Sequence, residues 1–258
     1  MTAADEPRPG TLVLVPNALD FGSTQPGDLR AHLPLAVIER AAALTHWAVE
    51  NAKSTRAFLK RVAAIAPLAA PLQSLQIVEL PRSKHGGGAP IDAELAALLR
   101  PAQLGHDLGL LSEAGLAAVA DPGAALVARA HALGIAVDAL PGASSLMLAL
   151  AASGLNGQEF AFVGYLSVPD EARAARIREL DALSKRSKQT QIAIETPYRN
   201  TALFAALLKH LAPSTRLSVA CAIGWPAGWC RTLQVSRWRQ ATPVLDDRLP
   251  AVFLFQAG

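Results

Sequence analysis

The 258-residue chain carries only two cysteines, Cys221 and Cys230, and no CxxC pair. A secreted disulfide framework is therefore not expected, and neither is a cysteine-based metal site. No apolar run reaches about 18 residues, the length a membrane-crossing helix needs. The opening MTAADEPRPG is acidic and proline-rich, without the basic-then-apolar order of a signal peptide. These absences lead us to expect a reducing, cytoplasmic setting. Aromatic residues are only 5% of the chain, which disfavours an all-β sandwich.

Familiar catalytic signatures are missing too. There is no GxxxxGK[ST] phosphate loop, no GxGxxG after an apolar run, no GxSxG elbow and no HExxH. Gly86-Gly87-Gly88 offers no phosphate-fixing spacing. The six histidines are scattered, and His46 and His131 read as packing or surface residues; no metal site is expected. Lysine and arginine exceed the acids by 24 to 21, a net charge of +3. That permits a nucleic-acid partner without demanding one.

What is present is a large apolar share, 51%, supplied mostly by alanine and leucine. It points to an α/β fold with a well-filled core. The length suits one large domain or two small ones. Residues 107–144 organise the rest. Residues 107–111 read as a strand and 112–123 as a loop almost without bulk. Residues 124–133 read as a helix closed by Gly134, and 135–140 as another strand. A βαβ unit leaves its loops at the carboxyl edge of a parallel sheet, where open α/β sheets bind small ligands. The active site is expected there.

Before this unit, strands are expected at 11–15, 47–50 and 75–80. Helices are expected at 34–44, at 55–65 and after Asp92. Residues 18–33 read as a long loop, and 81–90 as the most flexible stretch. After the unit, Ser144 or Ser145 caps a helix ending at Gly154. Asp170 is expected to cap a helix through Leu183, followed by a basic turn at 184–189. A helix is expected at 200–211. Strands at 160–166, 192–194, 217–222, 232–235 and 251–255 form a second sheet, antiparallel near its end. The best seam lies at Pro141-Gly142. This divides the chain into an N-terminal α/β lobe with a parallel sheet (10–141) and a C-terminal α/β lobe with a mixed sheet (142–258), with a cleft between them.

The remaining chemical signal is a set of small-residue loops: 113–116, 141–145, and the strand ends near Pro16 and Glu195. Small residues let backbone groups approach a ligand closely. A nucleoside-like or amino-acid-like ligand fits; ordinary tight turns would leave the same pattern.

Several stretches, in order, resemble one family. SEAGLAAVADPG at 112–123 is similar to the SDAGTPxxSDPG loop of the tetrapyrrole methylase superfamily, in the branch of the bacterial 16S ribosomal RNA 2′-O-ribose methyltransferase. ENAKSTRAFL at 50–59 resembles its EDTRHSxKLL, and LPGASS at 140–145 its LPGPSA. SGLNGQEFAFVGYL at 153–166 resembles SGLPxxxFxFxGFLP, and ETPYR at 195–199 resembles ESPHR. The opening strand at 10–15 resembles GTLYxV. The resemblance implies two α/β lobes, a homodimer, and S-adenosylmethionine bound in the cleft. Carried over position by position, it implies cofactor contacts at Ala114, Gly115, Leu116 and Val119. Ser144, Ser145, Glu195 and Gly224 would form the other wall, and Pro16 would close the first loop. Asn51 and Lys53 stand where the family has aspartate and arginine, and Leu116-Ala117 replaces Thr-Pro. Methyl transfer survives such changes; the acceptor's identity is the property they affect.

A sulfonium cofactor supplies the reactive methyl, so the protein must position the acceptor and remove its proton. Glu50, Lys53 and Glu113 are expected to face the acceptor. Glu113 could instead cap a loop amide, and Lys53 could pair with Glu50 at the surface. Arg173, Arg176, Arg178, Lys185, Arg186 and Lys188 form a basic helix and turn. Trp225, Trp229 and Trp238 alternate with Arg231, Arg237 and Arg239. That mixture suits RNA, by phosphate contact and base stacking, or else a solvated helix face with packed tryptophans. Ribosomal RNA ribose is the first acceptor to test. A small-molecule or protein acceptor, and a non-catalytic module binding the cofactor or RNA, are the alternatives.

Overall fold

The computed structural model describes residues 9–20, 23, 26–81, 92–241 and 243–258. The expected flexible stretch at 81–90, with its glycine triplet, lies outside the described residues except for Pro81. So does most of the N-terminal decapeptide. The chain divides into two compact units, Met1–Ala143 and Ser144–Gly258.

The first unit is built on a sheet of five strands: β1 (Thr11–Val15), β2 (His46–Val49), β3 (Gln76–Glu79), β4 (Leu108–Leu111) and β5 (Ala136–Ala139). Their spatial order is β3-β2-β4-β1-β5, and every pairing is parallel. The strand alternation explains the two layers. Val13, Val15, Trp47, Val49 and Leu111 pack with helices α1 (Leu35–Ala42) and α2 (Ala52–Ala63). Leu12, Ala48, Leu108 and Leu110 pack on the other face. There they meet α3 (Asp92–Leu98), α4 (Arg100–Gln103) and α5 (Ala124–Ala132). Burial on both faces is why the inner strands β1, β2 and β4 are nearly all apolar.

The crossovers decide where a ligand can enter. The chain leaves β1 and β2 toward the α1/α2 layer, but leaves β4 toward the α5 layer. Because β4 lies between β1 and β2, the loops part on both its sides. Such switch points are where open α/β sheets hold ligands.

The second unit has the order β6-β7-β10-β8-β9. Its strands are β6 (Phe160–Tyr165), β7 (Thr190–Ile194), β8 (Arg216–Cys221), β9 (Trp229–Gln234) and β10 (Ala251–Gln256). Only β6 and β7 run parallel; the other pairings are antiparallel, and β8 and β9 are joined by the short direct connection that such pairing permits. Helix α6 (Ser145–Ser153) covers one face through Leu146, Ala149 and Leu150. The other face carries α7 (Asp170–Ser187), α8 (Asn200–His210) and α9 (Val235–Trp238).

Three local expectations are corrected. Helix α2 begins at Ala52 rather than Thr55. The Asn51 side chain accepts from the N–H groups of Lys53 (2.9 Å) and Ser54 (3.3 Å) and caps it. Pro169, not Asp170, precedes α7; Asp170 lies in the first helical turn and pairs with Arg173. The stretch 184–187, expected as a turn, continues α7. The helix stops at Lys188, whose left-handed backbone presents its carbonyl to Asn156 Nδ2 (2.9 Å) and Gln256 Nε2 (2.8 Å).

Candidate active site

The small-residue loop 112–123 leaves β4 at its carboxyl end and is clamped by one side chain from the first loop. Asn17, 7% exposed, sits between β1 and β4. Its Nδ2 donates to the carbonyls of Ser112 (3.1 Å) and Glu113 (3.0 Å), and its Oδ1 accepts from Ala18 N–H (2.8 Å). The Asn17 and Gly115 backbones exchange hydrogen bonds of 2.8 and 3.2 Å. Gly115 holds φ +71°, the left-handed region where a side chain is strained. Ala118 (φ 64°) and Ala120 (φ 63°) carry that strain without being glycine. Pro16 is buried. A Cβ at Gly142 would lie 2.3 Å from Pro16 Cβ, so the smallness of that turn is itself a packing requirement.

On the other side of β4, toward β2, is a hollow of about 650 Å³. Apolar residues Leu80, Leu95 and Leu126 line part of it, and Glu50, Asn51, Glu113 and Asp121 supply the polar wall. Glu50 follows β2 and Glu113 follows β4, so parallel pairing of those strands brings them together. The Glu50 carboxylate accepts from Glu113 N–H at 3.2 Å. The Ser54 hydroxyl donates to the Glu113 carboxylate. Glu79, from β3, accepts from Ala52 N–H at 2.9 Å.

These acids alter one another's proton affinity. Burial raises the Glu113 carboxyl above its ordinary value; the Ser54 hydroxyl opposes this, and the charges of Glu50 and Glu79 add to it. Asp121 is pushed up to about 7, first by burial and then by the Glu50 and Glu113 charges.

Of the residues expected to face an acceptor, Glu50 and Glu113 line this hollow. Lys53 does not. It is exposed in the first turn of α2 and, among the described residues, forms no ion pair with Glu50. Among the expected cofactor contacts, Ala114 and Leu116 flank the clamped Gly115. Among the described residues, no acceptor meets their N–H groups. Val119 is 44% exposed on the same loop. In the second unit, Ser144 caps α6 by accepting from Met147 N–H, and Ser145 is its first residue. The Glu195 carboxylate is buried; it accepts from Thr196 N–H (2.9 Å) and pairs with Arg199 (2.9 Å). Gly224, at φ +90°, lies in the turn after β8. Sequence reasoning passed over Asn17 and Asp121. Asp121 lies in the 112–123 loop and Asn17 beside Pro16; the signal for each was a lone polar side chain among small or apolar neighbours.

Part of the arginine–tryptophan pattern is structural, while Trp225 is half-buried and Arg231 and Arg237 are exposed. Trp238 is fully buried, donates its indole N–H to Leu217 O (2.8 Å), and meets Phe204 edge-on at 5.4 Å. Trp229 is half-buried against the same core. The Arg239 guanidinium donates to Leu208 O (2.8 and 2.6 Å), satisfying a carbonyl in the last turn of α8. Trp238 and Arg239 are therefore unavailable for base stacking. On α7, Arg173 and Arg176 pair with acids of their own helix.

The model of the tetrapyrrole (corrin/porphyrin) methylases matches residues 35–231. This chain belongs to that family. The chain resembles curated proteins named ribosomal RNA small subunit methyltransferase I. The one from Micromonospora olivasterospora is 32% identical over 205 residues, covering 79% of this chain and 56% of that protein. The one from Synechocystis is 35% identical over 123 residues, covering 48% of this chain and 43% of that protein. The chain thus spans about half the length of these relatives. Among solved structures, uroporphyrin-III C-methyl transferase from Thermus thermophilus complexed with S-adenyl homocysteine is similar in fold. Its TM-score is 0.54 at 19% identity, over 96% of this chain and 97% of that one. The expected α/β fold and family hold.

Proposed function

We propose that this methylase transfers a methyl group from S-adenosylmethionine to a ribose hydroxyl of ribosomal RNA. The observation that carries the reading is the pairing of two features at β4. One is a clamped, small-residue loop on its β1 side; the other is a carboxylate-lined hollow on its β2 side. The names of the relatives support the choice of acceptor.

The loop has the properties the cofactor needs. Among the described residues, no acceptor takes the N–H groups of Ala114 and Leu116, which can donate to a ligand. The hydroxyl of Ser112, 3% exposed, is buried without a partner among the described residues. A group with carboxylate, ribose and adenine acceptors satisfies such donors. Ala114, Gly115, Leu116 and Val119 would hold it, with Pro16 fixing the turn beside them. Ser144, Ser145, Glu195 and Gly224 are the contacts proposed in the second unit. The Ser144 and Glu195 side chains have duties in their own loops, so their backbones are the parts offered. When bound, the cofactor supplies an electrophilic methyl on sulfonium, and no metal is needed.

The chain's own work is positioning and proton removal. Glu50 and Glu113 face the acceptor nucleoside in the hollow, where they accept its N–H and O–H groups. Lys53 stands outside the hollow, where an ammonium suits an RNA phosphate. Three carboxylates repel phosphate, so only the nucleoside enters and the phosphodiester stays at the rim. That same charge favours the second reading, a cationic small-molecule or protein acceptor.

The reading includes a homodimer in the cytoplasm. Among the described residues, no helix is long and apolar enough to cross a membrane. Edge strand β6 exposes Phe160 and Phe162, a surface suited to a second copy.

The test is calorimetry with S-adenosylmethionine, then tritiated methyl transfer to total RNA and to cell extract. Label recovered as 2′-O-methylnucleoside supports the proposal. Label in protein or small molecules overturns the RNA acceptor. Binding without transfer indicates a non-catalytic module.

A further inference from the structure

We propose that Asp121 is the general base for the reaction proposed above, accepting the proton of the acceptor hydroxyl inside the β2–β4 hollow. The assignment rests on that reading and adds a residue to it.

Three carboxylates line the hollow, and they are not equivalent. The Glu50 carboxylate already accepts from Glu113 N–H, and the Glu113 carboxylate from Ser54. Asp121 accepts no hydrogen bond among the described residues. Its lone pairs are free for a ligand hydroxyl. It is half-buried, at the end of the loop whose other end is pinned by Asn17. Leu80, Leu95 and Leu126 give the hollow an apolar side that excludes water from a bound nucleoside.

Among the described residues, the charged groups acting on Asp121 are both anions: Glu50, from the end of β2, and Glu113, from the loop after β4. Glu79 of β3 acts on Glu113 in the same direction. With burial, they place Asp121 at about 7. A base works best when its proton affinity matches the operating pH. An ordinary aspartate, near 3.9, would be too weak to draw a proton from a hydroxyl.

In the step, a lone pair on the acceptor oxygen forms the new bond to the methyl carbon. The carbon–sulfur bond breaks, and its electron pair stays on sulfur, giving S-adenosylhomocysteine. The hydroxyl proton moves to Asp121, which leaves the step as a carboxylic acid and returns the proton to solvent.

The experiment compares the wild-type full chain with Asp121→Asn and Asp121→Glu. Total bacterial RNA and small ribosomal subunits serve as probes. We expect wild-type kcat/KM to rise through an acid limb near pH 7 and then level. Asp121→Asn should lose the limb and fall by about 10²–10⁴-fold, with calorimetric affinity for S-adenosylmethionine unchanged. Asp121→Glu should restore part of the limb. An independent readout needs no acceptor: a ¹³C-carboxyl titration of Asp121 should have its midpoint near 7. Retention of the wild-type rate and limb in Asp121→Asn overturns the assignment, as does a midpoint in the usual carboxylate range. If label enters protein or small molecules but not RNA, the RNA reading fails, and the same variants on that acceptor decide Asp121 separately. A wild type that labels nothing overturns both.

Discussion

Replacing Asn17 by alanine tests the architecture of the loop directly. The side chain makes three hydrogen bonds: to the carbonyls of Ser112 and Glu113 and from the N–H of Ala18. Its surroundings are closed, since Asn17 is 7% and Ser112 3% exposed. Alanine removes one partner of each bond and leaves the other in place. A buried polar group left unpaired costs about 1–3 kcal/mol. Glu113 O is only partly buried, and water recovers some of that bond. The sum is about 3 kcal/mol, which corresponds to a fall in melting temperature of roughly 6–12 °C for a chain of this size. Asn17→Asp should be at least as damaging above pH 5, because a carboxylate would face two carbonyl oxygens. The assay is urea unfolding of both variants, with calorimetric S-adenosylmethionine affinity measured where each is fully folded. We expect affinity to fall, because the lost side-chain contacts fix Ser112 and Glu113, which lead into Gly115. An Asn17→Ala variant within about 0.5 kcal/mol of wild type would refute this account of the clamp.

Gly115→Ala forces a side chain into φ +71° and should cost about 1–2 kcal/mol, with a clear loss of cofactor affinity by calorimetry. Trp238→Phe removes the indole donor to Leu217 O and its share of the core packing. It should cost about 2 kcal/mol in urea unfolding while leaving methyl transfer unchanged at temperatures where it is folded. Because the Asp121 carboxyl is raised in the folded state, the native protein binds the extra proton. Stability from this group is therefore full at low pH and declines as pH rises from about 4 to 7. Asp121→Asn should melt above wild type at pH 8, by about 1–2 kcal/mol once solvent screening is allowed for, and the gap should close by pH 5. Glu113→Gln removes one of the two anions acting on Asp121 and should move the acid limb of turnover to lower pH. Lys53→Ala should raise KM for RNA and leave kcat nearly unchanged.

The repeat of side chains along the chain determined much by itself. Thr11–Val15 and the apolar runs ending at Val49 and Leu111 are strands because both of their faces are buried. Ser144 and Gly154 mark the ends of α6 because a hydroxyl satisfies a helical N–H and glycine adopts the left-handed stop. The ordered motifs were enough to indicate the family. Such features are local, reaching no further than a helical turn or a loop. Trp238 and Arg239 were ambiguous for the same reason. Their spacing fits a stacking surface or a core, and only packing against Phe204, Leu208 and Leu217 separates the two. The hollow was not legible either. Glu50, Glu113 and Asp121 share it because β4, the fourth strand in sequence, inserts between β1 and β2. That insertion depends on which crossover covers which face, a contest among contacts far apart in sequence. The proton affinity of Asp121 follows from it, since it comes from burial and from neighbours the chain order keeps apart.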